Sequence, residues 1–255
     1  MPYSQDSLEN ILAGREKVLK DLKELTISFI RLSESLKKDR AKEYLMHGLC
    51  RRLQMIAHCI DKIFSIFPPN RQKLLGREEL FDVQTNLHAI VINLYGVLDN
   101  FAWIFVYEND LMPAIGRQER VGLFKLETRK HLPRVLIEYI DSCQRWHADY
   151  IKRYRDALAH RIPLFIAPFI LKIEDERRWN ELDAQMAQCL EHHEFEKLEK
   201  LRTERDLLGI VSDTFMHSFS EENSKPICLH PQLISDASTI VEFGNLYVKN
   251  FFVKD

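Results

Sequence analysis

Residues 78–108 read EELFDVQTNLHAIVINLYGVLDNFAWIFVYE. Leu80, Val83, Leu87, Ile90, Leu94, Val97, Phe101 and Ile104 alternate steps of three and four residues, the spacing that lines one face of an α-helix. An unbroken stripe of this length predicts a helix roughly 45 Å long. Residues 97–107 are apolar nearly all round, and only Asp99 and Asn100 interrupt them. A helix apolar on every side is surrounded by protein, so this half belongs at the centre of the fold.

The flanking sequence is also helical in pattern. Residues 7–38 carry Leu8, Ile11, Leu12, Leu19, Leu22, Ile30 and Leu36 near a 3.6-residue period, with Ser7 as candidate N-cap. A second helix is predicted over 40–66 and stops at Pro68-Pro69. A fourth, after the loop holding Pro113 and Gly116, starts at Pro133 and runs through Trp146, Tyr150 and Ala157 to about His160. Residues 162–173, IPLFIAPFILKI, are β-branched or aromatic with two prolines, which suggests an edge strand with 214–219 as its partner. Residues 174–208 predict a charged helix or helical hairpin, and 231–252 a last helix. The expectation is an all-α bundle of long antiparallel helices: an N-terminal helical extension, 1–70, packed on a domain of 71–255, with a small two-stranded edge element.

Composition excludes several classes. Eight Gly and nine Pro in 255 residues are too few for a turn-rich β-sandwich, a collagen-like repeat or a long disordered linker. A net charge of -2 argues against bulk electrostatic attraction to nucleic acid, but leaves room for a local basic site. Residues 112–161 hold 11 basic and 6 acidic side chains, whereas 174–208 hold 6 basic and 11 acidic. Solvated helix faces account for such charge runs equally well. Five cysteines without a C-x-x-C fit a reducing compartment. No basic leader followed by an apolar run is seen, and the longest candidate span, 162–173, is short and holds Pro163, Pro168 and Lys172. The expected location is the cytoplasm, away from membranes. Phosphate-cradling glycine loops and the H-E-x-x-H and G-x-S-x-G motifs are absent. The neighbours His192 and His193 point about 100° apart on a helix and make no metal pair. No metal and no cofactor is expected.

The chemistry-bearing stretch is 153–163, RYRDALAHRIP. Asp156 and His160 are four residues apart, neighbours on one helical face, where a carboxylate can orient an imidazole. Arg155 has Ile151 and Leu158 as helical neighbours, so it emerges beside the apolar stripe and calls for an anion. The loose spacing recurs at Arg40/His47, Arg51/His58, Arg52/His58 and Arg153/His160. Arg155/His160 differs in three ways: a polar residue follows the arginine, Ala157 and Ala159 permit close packing, and the surroundings are basic.

With Arg155-Asp156-Ala157-Leu158-Ala159-His160, the chain resembles the HEPN superfamily, all-α domains named for higher eukaryotes and prokaryotes nucleotide-binding, whose motif is R-x4-6-H. The resemblance covers mainly 78–161. It implies a metal-independent ribonuclease of a bacterial defence, toxin–antitoxin or stress system, working as a homodimer whose two motifs line one cleft, with a partner protein from the same system. His160 would be the general acid or base, Arg155 would stabilise the phosphorane-like transition state, and Asp156 would orient one of them. Lys152, Arg153 and Arg161 would bind RNA phosphates. Asp99 and Asn100 would face the same cleft. Toxin members with R-x4-H-x-Y carry a tyrosine that an antitoxin modifies; this chain has Ile162 there. Alternatives are a catalytically silent nucleotide- or RNA-binding module and a structural helical adaptor. In the latter His160 only caps its helix, Asp99 and Asn100 only fix helix register, and Trp103, Trp146, Tyr150 and Tyr154 are core.

Overall fold

Ser4 opens the first helix, α1 (Gln5–Ser35), by accepting the Ser7 backbone N–H on its hydroxyl at 3.2 Å. The cap is thus Ser4, three residues before Ser7, because that spacing lets an N-cap oxygen reach the third helical N–H. This is the first element of a computed structural model that describes residues 3–167, 169–218 and 225–252. The predicted helix over 40–66 forms as three continuous pieces: α2 (Asp39–Glu43), a π-helical turn (Tyr44–Leu49) and α3 (Cys50–Ile66). Then comes α4 (Arg77–Glu108), whose first turn is closed by Glu79 accepting from the Gly76 N–H at 2.8 Å.

Short helices α5 (Met112–Ile115) and α6 (Leu126–Arg129) lead to α7 (Arg134–Ser142). The predicted helix over 133–160 is not one rod. It breaks at Cys143, resumes as α8 (Gln144–Trp146), passes a second π-helical turn (His147–Ile151) and ends as α9 (Lys152–His160). Each π turn carries one residue more than an α turn, so it rotates the side chains that follow. The remainder is β1 (Phe165–Ile166), β2 (Phe169–Ile170), α10 (Ile173–Glu191), α11 (Phe195–Arg205), β3 (Ile210–Val211), β4 (Thr214–Met216), β5 (Ile227–Cys228) and α12 (Leu229–Asn250).

The architecture is the expected all-α bundle, and α10 and α11 are the charged hairpin. The edge element is larger than two strands. β4 pairs antiparallel with both β1 and β5, with Ile166 opposite Phe215 and Phe215 opposite Ile227. β2 pairs separately with β3. Of the expected partner strand, Phe219 lies outside the described residues. The edge is tied to α4: Gln84 accepts the Ile166 N–H at 3.1 Å, and His88 Nε2 donates to the Leu164 carbonyl at 2.7 Å.

The stripe on α4 is buried as its spacing predicts, with Val83, Leu87, Ile90, Leu94, Val97, Phe101 and Ile104 all inaccessible to solvent. One apolar span passes unnoticed in a reading that takes 162–173 as the longest. Helix α4 is long and apolar enough to cross a membrane, but 67% of its apolar 18-residue stretch is buried inside the bundle. A single buried core then runs from Ile11 to Phe251, so α1, α3, α4 and α12 share it. Its aromatic centre joins three helices: Phe101 of α4 lies 5.7 Å from Phe29 of α1 and 4.8 Å from Tyr247 of α12, centroid to centroid. The Tyr247 hydroxyl donates to the Phe101 carbonyl at 2.8 Å, which satisfies the polar tip of a wholly buried ring. The α10–α11 hairpin has its own small cluster of Leu182, Cys189 and Leu201.

Close approach of α1 to α12 depends on Gly244, where a β-carbon would lie 2.6 Å from Leu25 Cδ2. Gly244→Val is therefore expected to cost about 1–3 kcal/mol through overpacking. A lower melting temperature in a thermal scan supports this contact, and an unchanged one would contradict it.

Candidate functional site

The site is built on α4 and α9. The π turn before α9 points Arg155 inward, and its guanidinium carbon lies 4.3 Å from the centre of the Tyr95 ring of α4. An arginine over an aromatic face gains a cation–π attraction that strengthens as water is excluded. Asp156 accepts from Lys152 at 2.8 Å and pairs with Arg155 at 3.1 Å. The Arg155 Nε is buried with no hydrogen-bond partner among the described residues. Burial opposes the charge of Arg155, but Tyr95, Asp156 and Asp99 outweigh it and raise its pKa. Burial likewise works to raise the Asp156 carboxyl, and Lys152 and Arg155 more than reverse this, holding it below the usual range.

Asp99 and Asn100 part company. Asp99 points toward the Arg155 region. Burial pushes its carboxyl up, against the pull of Arg155, Lys125 and Arg52. Asn100 faces the other way and accepts from Arg52 Nε at 3.0 Å, while Asn93 accepts from Arg52 at 3.1 Å. That guanidinium lies against Gly96, where a β-carbon would stand 2.4 Å from it. Asn100 also packs on Gly48, in the first π turn. Asn100 therefore fixes the register of α3 against α4, and of the two residues Asp99 alone belongs to the candidate site.

The helix geometry orders the remaining residues. At about 100° per residue, Arg155, Lys152, Asp156 and His160 follow one another around a single side of α9, with roughly 140° between Arg155 and His160. Asp156 sits between them but takes Lys152 and Arg155 as its partners. His160 ends the helix, is exposed, and makes no side-chain hydrogen bond among the described residues. Arg161 is exposed just beyond the helix. Arg153 lies roughly 160° from Arg155 around α9 and is engaged elsewhere. Tyr154 is buried against Phe215, and Ala157 is buried where α9 meets α4.

One residue that the spacing did not single out joins the site. His147 stacks on Phe124 at 3.7 Å with the rings 6° apart, and lies 6.1 Å from Tyr95. Burial, then Lys152 and Arg155, push its imidazole down to about 4, against a smaller opposite pull from Asp156. It lies 23 residues after Phe124, and the π turn separates it from Arg155, so tertiary packing is what joins these groups. Its neighbour Trp146 donates from Nε1 to Asp236 of α12 at 2.8 Å, and Gln232 donates to the same oxygen at 2.7 Å. These bonds anchor the start of the π turn that carries the site.

No protein-family model matches the chain, and no curated protein or solved structure matches it.

Asp236 is fully buried, which pushes its carboxyl up to about 7 although the bonds from Trp146 and Gln232 favour the charged form. The unfolded value is near 3.9, so between about pH 4 and 7 the folded chain holds a proton that the unfolded chain has released. Stability from this group falls as pH rises through that window and levels above it. Asp236→Asn keeps an acceptor for Trp146 and removes the fall. In denaturant titrations at pH 5 and pH 8, the variant is expected to gain on the parent at pH 8. The same difference at both pH values would contradict a buried, titrating carboxyl.

Proposed function

We propose that the chain is a metal-independent endoribonuclease of the HEPN type, acting as a homodimer. The observation that carries this reading is the arrangement on α9: Asp156 paired with both Lys152 and Arg155, with an exposed His160 further round the helix. Within one chain Arg155 and His160 diverge by roughly 140°. A second copy facing α9 brings Arg155 of one chain and His160 of the other to one phosphate.

The 2′-hydroxyl oxygen of RNA attacks the adjacent phosphorus, and the bond to the 5′-oxygen breaks. His160 of the facing copy takes the hydroxyl proton, and a water molecule supplies a proton to the departing 5′-oxygen. An exposed imidazole suits such transfer, which contributes about 10²–10⁴-fold. Arg155 and Lys152 offset the charge that develops on the phosphorane, and Asp156 positions both. The products carry a 2′,3′-cyclic phosphate and a 5′-hydroxyl. Control by a partner protein in a defence or stress system follows from the same resemblance.

The second reading is a catalytically silent RNA-binding module. The divergence of Arg155 from His160 in one chain favours it, because Lys152, Arg155 and Tyr95 alone suffice to hold a phosphate. The adaptor reading has less support, since His160 is exposed instead of bonded to a backbone carbonyl.

The purified protein is expected to cleave single-stranded RNA in EDTA, leaving cyclic phosphate ends. Arg155→Ala and His160→Ala, with folding and oligomeric state matched, should each lose about 100-fold or more. RNA binding without cleavage selects the binding module. Equal cleavage by parent and variants removes both residues from the chemistry.

A further inference from the structure

We propose that His147 is a third phosphate-binding group beside Arg155 and Lys152, one that takes up a proton as an RNA phosphodiester binds. The inference rests on the reading of the Arg155 region as an RNA site, but not on cleavage.

Three features carry it. The first is position. Phe124, His147, Tyr95 and Arg155 form a chain of neighbouring planar groups, with successive separations of 3.7, 6.1 and 4.3 Å. Stacking on Phe124 fixes the imidazole plane and leaves its edge to meet a ligand. The second is an unused valence. His147 is half-buried, yet neither ring nitrogen has a hydrogen bond among the described residues. Both nitrogens are therefore open to water or to a ligand. The third is charge. On its own helical run His147 feels Lys152 and Arg155, which repel a proton, and Asp156, which attracts one. From α4 it meets Tyr95, with Asp99 beyond, itself acted on by Arg155, Lys125 and Arg52. Phe124, from the loop before α6, is uncharged. The site therefore holds two cations, the Asp156 carboxylate that pairs with both, and a neutral imidazole.

A phosphodiester brings one negative charge to that set. It offsets Lys152 and Arg155, and it accepts a hydrogen bond from a protonated imidazole. Both effects raise the proton affinity of His147 in the complex. By linkage, a group that gains a proton on binding makes binding tighter as pH falls, by up to tenfold per pH unit between its bound and free midpoints. Sequence reading passes over His147 because Asp149, Tyr150 and the π turn separate it from the Arg155 motif.

The test uses the full-length chain and a single-stranded oligodeoxynucleotide, which has a phosphodiester backbone but no 2′-hydroxyl to cleave. Inorganic phosphate in a parallel arm separates a backbone diester from a free phosphate. Affinity is followed by anisotropy from pH 4 to 7, and the His147 C2 proton by NMR, assigned from the missing line of His147→Gln. The glutamine keeps a planar group on Phe124 and cannot titrate, so residual pH dependence in that variant belongs to other groups, the part-buried Asp99 among them. The expected result is a steeper tightening with falling pH in the parent than in His147→Gln. The His147 midpoint should also rise by at least one pH unit when the oligonucleotide is bound. Equal slopes, an unmoved His147 line in the saturated complex, or no binding at any pH would overturn the inference. RNA cleavage by the parent together with an unmoved His147 line overturns this inference and leaves the nuclease reading standing. Proton-linked binding by a protein that cleaves no RNA does the reverse.

Discussion

Burial of the second half of α4 on every side is the constraint on which the rest of the structure depends. From Gly96 to Val106 only Asp99 and Trp103 are not fully buried. A helix enclosed in this way must be surrounded: Phe29 of α1 and Tyr247 of α12 close on Phe101 of α4, and α3 packs along it as well. The same enclosure decides what happens to its polar groups. A buried amide must be bonded, and Asn100 is, to Arg52. A part-buried carboxylate needs a cation nearby, and Asp99 has Arg155 across the α4–α9 contact. The candidate site is thus the place where α4 cannot be covered by apolar side chains alone.

The two π turns do the fine positioning. The first brings Gly48 against Asn100, so α3 can press its arginine onto Gly96. The second follows Trp146, which is held to α12 through Asp236, and sets the phase of α9 so that Arg155 lies over Tyr95. A regular helix from 134 to 160 would displace these side chains by about 100° and lose that stack. Function, on this account, is tied to an irregularity that the core enforces.

Much of the frame was legible in the sequence. The stripe on α4, the stop at Pro68-Pro69, the extended 162–173 and the charged hairpin all follow from spacing and from proline chemistry, which act locally. The π turns were not legible, because one inserted residue leaves the apolar period almost unchanged and depends on what packs against the helix. The break at Cys143 has no glycine or proline to announce it. At the site, Arg155, Asp156 and Lys152 were readable as helical neighbours, whereas Tyr95, Phe124 and His147 join them only through tertiary packing. Asp99 and Asn100 look equivalent in sequence, and only the register of α3 and α9 on α4 separates their roles.

The central claim is that Arg155 and His160 diverge within one chain and meet between two. Mixing the Arg155→Ala and His160→Ala proteins under conditions that exchange subunits tests it most directly. Each mixed dimer then has one site with both native side chains, one from each copy. The account predicts that the mixture recovers part of the RNA cleavage that neither variant shows alone. Subunit exchange with no recovery of cleavage would contradict it.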